Sequence, residues 1–332
     1  MNFESTHSVR TNARETTERL ARRRLNSTIR SIRERVTFSF EFFPPGNEAG
    51  ERRLAKTYDV LTALSPDFTS ITYGAGGSNR EKSLHTVSAL KARSKCEVAA
   101  HLTCIGSSRA DIDAAIDGFI EIGIDHFVAL RGDIPRDAGP DTLISSAFTR
   151  ADQLVEVIRR RGDFNISVAT YPEKHPESAN LAQDITALKA KQDAGANRAI
   201  TQFFFDTDKF LRFRDAAVTA GIRIPIIPGI LPVHNYAGTA RFAAGCGANI
   251  PSWVHELFNG LDDSPEVRAM VATTVATEQC ARLIEHGTEH LHFYTLNQHD
   301  LASGICQILG LGSNQPTHND DCTTRITGKS SG

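Results

Sequence analysis

Through the middle of the chain, helical stretches stop at a glycine, and a β-branched or aromatic run follows within a few residues. Gly123 precedes Ile124 to Leu130, Gly162 precedes Phe164 to Ala169, and Gly195 precedes Arg198 to Phe203; Gly221 and Gly287 repeat the arrangement. Glycine is favoured just past a helix because that position commonly takes a left-handed backbone, which costs a residue with a Cβ more. Each case predicts helix end, short loop, strand. Three earlier runs, Val36 to Phe43, Phe68 to Tyr73 and Cys96 to Thr103, complete the strand series, and Leu54 to Leu64 and Ile112 to Ile122 suit intervening helices. Strands alternating with helices pair in parallel, and eight such units fit the roughly 250 residues of a closed barrel. The expected class is α/β, a single (β/α)8 TIM barrel over residues 36–311. A doubly wound open sheet would want GxGxxG after its first strand, and here that strand ends in Phe42-Phe43-Pro44-Pro45.

The two ends break this pattern. Residues 1–35 form a basic N-terminal extension, with nine Arg against three Glu between Arg10 and Arg35. Leu25, Ile29, Ile32 and Val36 fall at helical spacing, so its second half is expected to be a helix with one apolar stripe against the barrel. An organelle-targeting peptide and a nucleic-acid tail are the competing readings; the Glu residues argue against the first and the short length against the second. Residues 312–332 are polar and rich in Ser, Thr, Asn and Gly, too poor in apolar groups to offset the entropy of ordering, so a disordered tail is expected.

Composition narrows the function classes. The 332-residue chain is 40% hydrophobic, with a formal net charge of -2. That balance argues against a nucleic-acid surface over the whole molecule and for small-molecule chemistry. Six scattered cysteines without a CxxC pair, and no signal peptide, argue against a disulfide framework or a bound structural metal, and for reduced thiols in the cytoplasm. No apolar run approaches the ~20 residues that span a bilayer, so no membrane partner is expected.

In such a barrel the active site lies at the C-terminal ends of the strands. The polar residues there are Glu41, Thr72 with Tyr73, His101 with Thr103, Arg131 with Asp133, Tyr171 with Glu173 and His175, Gln202, and Tyr294 with Asn297. Seven strand ends carrying such groups predict a polar mouth. Glu41 sits among alternating aromatics in Phe38-Ser39-Phe40-Glu41-Phe42-Phe43. Burial there would disfavour its charged form and make it a proton donor, the alternative being an internal salt bridge with a barrel Arg. At Asp133 a fixed negative charge would stabilise a developing cation, and Gly132 before it would let the backbone approach a planar ligand.

These strings also resemble a known family. Phe40-Glu41-Phe42-Phe43-Pro44-Pro45, Thr72-Tyr73-Gly74-Ala75, His101-Leu102-Thr103-Cys104, Ala129-Leu130-Arg131-Gly132-Asp133 and Tyr171-Pro172-Glu173 are similar, in order, to motifs of the methylenetetrahydrofolate reductases. So are Gly195-Ala196-Asn197, Thr201-Gln202-Phe203-Phe204-Phe205-Asp206, Pro228-Gly229-Ile230 and His292-Phe293-Tyr294-Thr295-Leu296-Asn297, and the likeness runs from about Thr37 to Gly310.

The resemblance implies FAD as cofactor, NADH or NADPH as hydride donor, and a folate substrate whose methylated product supplies methionine synthesis. It implies cofactor contacts at Thr72, Tyr73, Ala75, His101, Arg131, Gly132, Asp133, Ala151, Tyr171, His175, Ser178, Asp184 and Lys191, with Arg131 and Lys191 toward the pyrophosphate and Asp184 toward ribose hydroxyls. Glu41 would be the general acid, Asp133 its electrostatic partner, Gln202 a hydrogen-bonding group at the pterin, and Phe242 a stacking ring. Gln298 falls at the folate tail, where a basic residue is common; Gly238, Ala187 and Ala190 also depart from the family's polar residues. Fewer charge-assisted contacts there predict weaker hold on the flavin and the tail. A homo-oligomer is expected as well. The competing functions are a flavin-free folate reductase, a pterin-binding lyase or methyltransferase, and a binder acting through the basic extension.

Overall fold

The computed structural model describes residues 35–73, 80–133 and 146–312, together with Ile32. Most of the basic extension and nearly all of the polar tail lie outside these residues. Ile32 is helical and packs against the core, and its carbonyl accepts from the Val36 amide at 2.8 Å.

The strands are β1 (Thr37–Phe42), β2 (Phe68–Ile71), β3 (Glu97–Thr103), β4 (His126–Leu130), β5 (Asn165–Thr170), β6 (Arg198–Thr201), β7 (Ile226–Ile227), β8 (Gly229–Ile230) and β9 (His290–Tyr294). They pair in parallel in the order β7-β6-β5-β4-β3-β2-β1-β9-β8. Only Pro228 separates β7 from β8, so the two ends of that order are halves of one strand and the ring closes through it as an eight-membered barrel. Proline has no amide proton for the ladder, which interrupts the strand there. The amide of Gly229 is held instead by the Thr201 hydroxyl at 2.9 Å. No other residue fits at 229: a Cβ would lie 2.3 Å from the Thr201 carbonyl and 2.5 Å from the Tyr294 ring.

Helices α1 (Glu48–Thr62), α2 (Arg80–Arg93), α3 (Arg109–Glu121), α4 (Ala151–Arg161), α5 (Leu181–Asp193), α6 (Thr207–Thr219), α7 (Tyr236–Cys246), α8 (Ser252–Phe258), α9 (Pro265–Glu285) and α10 (Asp300–Ile308) follow the strands. Side chains of Asn47, Ser108, Asn180, Asp206 and Asn235 accept from amides of their first turns, which fixes where five of these helices begin. The expected glycine stops are left-handed at Gly123, Gly195, Gly221 and Gly287. Gly162 is the exception: its backbone is extended, and a side chain there would meet the Phe164 ring at 3.0 Å.

Alternation along the strands divides the core in two. Outward residues such as Phe40, Phe42, Val98, Phe127, Ile166 and Phe293 join the large apolar shell beneath the helices. Inward residues form a small apolar cluster of Phe68, Ala99, Val128, Ile200 and Ile227. Around Phe68 stand His126, His290 and His292, with ring centroids 4.7, 5.5 and 5.9 Å away, and the Arg198 guanidinium at 5.3 Å. The bore of this barrel is therefore partly polar, where branched aliphatic side chains more often fill the space.

Candidate active site

Glu41 is the inward residue near the top of β1. Its carboxylate lies 3.5 Å from His101 Nε2 and 3.6 Å from His292 Nε2, and its side chain is 18% exposed. Neither ring nitrogen has a hydrogen-bond partner, and both are buried. No arginine pairs with Glu41 among the described residues; its neighbours are histidines. Burial holds His101 neutral, lowering it to about 4 against the opposing pull of Glu41. Tyr294, also beside Glu41, is pushed well above the usual phenol range, first by burial and then by that carboxylate. Its hydroxyl donates to the Thr201 carbonyl at 2.8 Å, across the glycine at 229.

A second group gathers at the ends of β4 and β5 and along α5. On α5, Asp184, Leu188 and Lys191 share one face at i, i+4, i+7 and turn toward the barrel. Asp184 accepts from the His175 amide at 3.0 Å and the Ser178 hydroxyl at 2.6 Å, which ties down the loop after β5. Tyr171 and His175 meet edge to face at 4.6 Å. Burial, reinforced by Asp133, raises Tyr171 to about 12. Lys191 is lowered to about 8 by burial, and its ammonium donates to the Ala169 carbonyl at 2.7 Å. Arg131 is clasped by both oxygens of Glu177, at 2.5 and 2.7 Å. Thus Arg131 is already engaged and an incoming anion must displace Glu177, whereas the Lys191 ammonium, with one carbonyl partner, keeps donors to spare. Gly132 takes a left-handed φ of 86°, and a Cβ there would be 2.9 Å from Thr103, so tight packing of strand ends already requires glycine.

Gln202 follows β6, with its amide donating to the Thr170 carbonyl at 2.8 Å. The next residue, Phe203, stacks on Phe242 at 5.3 Å and meets Tyr294 edge to face at 6.2 Å, which brings Phe242 to the Glu41 side of the mouth. Phe242 is 44% exposed. Thr72 lies just past β2, its amide bonded to the Phe42 carbonyl; Tyr73 packs against the core and Ala151 opens α4. Asp133 is exposed at the last described residue of its loop, and Ala75 lies outside the described residues.

Two rim residues are structural. Asn297 bonds both the amide and the carbonyl of Phe43, at 3.1 and 2.8 Å. Glu173 accepts from Lys209 at 2.8 Å and the Asn249 amide at 2.9 Å. The strand-end pattern singled out Tyr294 but not His290 and His292, which stand in the same inward row; their period of two with Tyr294 in β9 was the available signal.

The chain matches the model of the family described as methylenetetrahydrofolate reductase over residues 24–310. The chain belongs to the methylenetetrahydrofolate reductase family. It is 42% identical over 290 residues to the 5,10-methylenetetrahydrofolate reductase of Pectobacterium carotovorum subsp. carotovorum, covering 87% of this chain and 95% of that one. It is likewise 42% identical over 287 residues to the protein of that name from Escherichia coli K12, covering 86% and 95%. Similarity extends to methylenetetrahydrofolate reductase (NADH) 1 of Arabidopsis thaliana, 39% identical over 85% of this chain and 50% of that longer one. A solved Clostridium thermocellum protein that binds two copies of 5-methyl-5,6,7,8-tetrahydrofolic acid shares the fold, with a TM-score of 0.58 at 16% identity over 86% of this chain and 97% of that one.

Within this barrel the four departures occupy distinct places. Ala187 is exposed and Ala190 half-buried on α5. Gly238 is in the first turn of α7, bonded to the Asn235 cap at 2.7 Å. Gln298 lines a groove with Arg53 and Lys56 of α1, so basic groups stand nearby although 298 itself is neutral. Among the described residues no helix is long and apolar enough to cross a membrane, and the five described cysteines are free.

Proposed function

We propose that this chain reduces 5,10-methylenetetrahydrofolate to 5-methyltetrahydrofolate, with hydride from NADH or NADPH carried by FAD, and so supplies methyl groups for methionine synthesis. The observation that carries the reading is Glu41, a partly buried carboxylate between two buried ring nitrogens that lack other partners. Family membership supports the substrate, and the printed name of the Arabidopsis relative supports a nicotinamide donor.

The residues present fit a flavin nucleotide. Tyr171 and His175 offer aromatic edges, and Lys191 is a buried cation with a single carbonyl partner, the kind of group that an anion would satisfy. Arg131 and Lys191 would hold the phosphates, and Ser178, Asp184, His101, Gly132, Ala151, Thr72, Tyr73 and Ala75 would complete the contacts. Bound FAD would accept hydride from the nicotinamide and return it to the folate at one site, in two alternating half-reactions. Glu41 would give its proton to folate N10, so that the five-membered ring opens to a cationic iminium. Asp133 would stabilise that cation from the rim. Gln202 would hydrogen-bond the pterin and Phe242 would stack on the substrate's ring. Mixing the protein anaerobically with FAD and then NADH or NADPH should bleach the flavin absorbance. A protein that stays colourless with FAD, or a flavin unbleached by both donors, would refute this reading.

A further inference from the structure

Many arginines on the surface are already paired: Arg93 with Asp59, Arg160 with Glu156 and Arg282 with Asp208, at 2.6, 3.1 and 2.5 Å. Arg53 and Lys56 are not. Both are exposed on α1, and neither has an ion-pair or hydrogen-bond partner among the described residues. They stand at i, i+3 on one face of the helix, where two like charges repel and give the helix nothing.

With Thr57 they form one wall of a groove of about 260 Å³, whose other wall is the turn from Asn297 through Gln298 and His299 to Asp300. The walls are pinned together, because the Thr57 hydroxyl donates to the Asn297 carbonyl at 3.1 Å. Leu296 and Asn297 are left-handed, at φ 49° and 53°, a conformation that a Cβ opposes. Asp300 opens α10, and His299 ahead of it makes no side-chain cap, so the helix adds its positive end to that wall. The one carboxylate in the described lining, Asp300, is met by His299 Nδ1 at 3.1 Å.

This groove begins where the Glu41 wall ends. The Glu41 carbonyl accepts from the amide and hydroxyl of Thr295, at 3.3 and 2.7 Å. Two residues on along β1, Asn297 holds both backbone groups of Phe43. Two extended residues span about 7 Å, so Asn297 is a short step above Glu41, on the rim. Helix α1 returns antiparallel to β1, which puts Arg53, one turn before Thr57, roughly 5 Å farther toward the mouth.

We propose that this groove receives the γ-linked glutamates that extend a folate beyond its first, and that the chain prefers its substrate as a poly-γ-glutamate. The inference deepens the folate reading above and rests on it. A folate with its pterin at Glu41 directs its opposite end out of the mouth, and each added γ-linked residue brings one more carboxylate to the rim. Arg53 and Lys56 meet such a chain without first releasing an internal anion, unlike Arg131, which Glu177 holds. Each contact is exposed to water and modest, so the preference comes from several together and is screened by salt.

The test titrates full-length protein, loaded with FAD, with 5-methyltetrahydrofolate carrying one or three glutamates, followed by calorimetry. The triglutamate should bind about tenfold more tightly at low salt, and the advantage should shrink to about twofold when salt is raised. Arg53→Ala with Lys56→Ala should lose most of the advantage at a urea midpoint no lower than that of the unaltered protein, and Arg53→Lys should retain it. Equal affinity for the two forms in the unaltered protein would overturn the proposal, as would an advantage that survives the double substitution. Phosphates of the nicotinamide donor are the other anions that reach the mouth, so flavin bleaching is followed against NADH and NADPH concentration in the same proteins. A double variant that bleaches poorly with NADPH yet keeps the triglutamate advantage would assign the cations to the donor and sink the groove. Binding of neither folate would remove the folate reading and the groove with it, whereas a bound monoglutamate without a triglutamate preference removes the groove alone.

Discussion

On the outside of β1, Phe38, Phe40 and Phe42 are buried in the apolar shell under the helices, while Ser39 and Glu41 between them face a bore that also holds His101, His126, His290 and His292. The same backbone serves both surfaces. Outside, each phenylalanine contributes roughly 1.5–3 kcal/mol by leaving water, without needing a particular partner. Inside, a polar atom is tolerable only if something meets it, and here some meet one another while His101 Nε2 and His292 Nε2 meet only a distant carboxylate. The contrast teaches that this barrel draws its stability from the shell and spends some of it in the bore, where the chemistry is held.

Substitutions on adjacent residues should separate the two surfaces. Glu41→Gln, from the inner face, should lower folate reduction by about 10²–10⁴-fold with flavin bleaching intact and stability within about 1 kcal/mol. Equal loss of both half-reactions in stopped flow would make Glu41 a structural residue. Its neighbour Phe40→Ala, on the outer face, should cost about 3–5 kcal/mol in urea unfolding while turnover per folded molecule is kept. A loss of activity with little change in stability would erase the distinction between the faces.

Acid should attack the buried rings before the carboxylates. His101 and His234 are lowered from 6.5 to about 4, and His290 to about 3, each chiefly by burial. Between those values and 6.5 the unfolded chain binds protons that the folded chain refuses, so stability is full above pH 6.5 and falls as pH drops toward 4. Urea midpoints at pH 7.5 and pH 5 should show this fall. His290→Asn should remove part of the bore's share of it, leaving that of His101, and His234→Asn part of the share from outside the bore; a flat profile would mean that the rings are hydrated. Smallest of all, Glu177→Gln should change stability by less than about 1 kcal/mol, because that carboxylate is 52% exposed and screened. Its use is as a measure of the mouth: with Arg131 released, FAD should bind more tightly in a fluorescence titration, and unchanged binding would place Arg131 away from the phosphates.

Much of the fold was legible because helix ends make a local demand. Gly123, Gly195, Gly221 and Gly287 sit where the backbone turns left-handed, and that requirement shows in sequence without any knowledge of packing. Gly162 marked a true boundary for a different reason, its contact with Phe164. The rim was legible for a similar cause, since strand ends place polar groups at predictable positions. Pairings across the ring were not. Ser39 and His292 are 253 residues apart in sequence, and Arg131 and Glu177 are 46 apart, so their pairing exists only once the ring has closed. Asn297 and Glu173 show the converse: polar residues at strand ends can be braces for neighbouring loops.

Closure itself has an uneven joint. Where Pro228 interrupts the seventh strand, the wall is fastened by the Thr201 hydroxyl and the Tyr294 phenol. Fasteners made of side chains can be loosened one atom at a time, as Thr201→Val or Tyr294→Phe would do, whereas a ladder of main-chain bonds cannot. That stave of the barrel is therefore the place where point mutation can adjust how readily the wall yields, and Tyr294 couples any such give directly to the floor of the mouth.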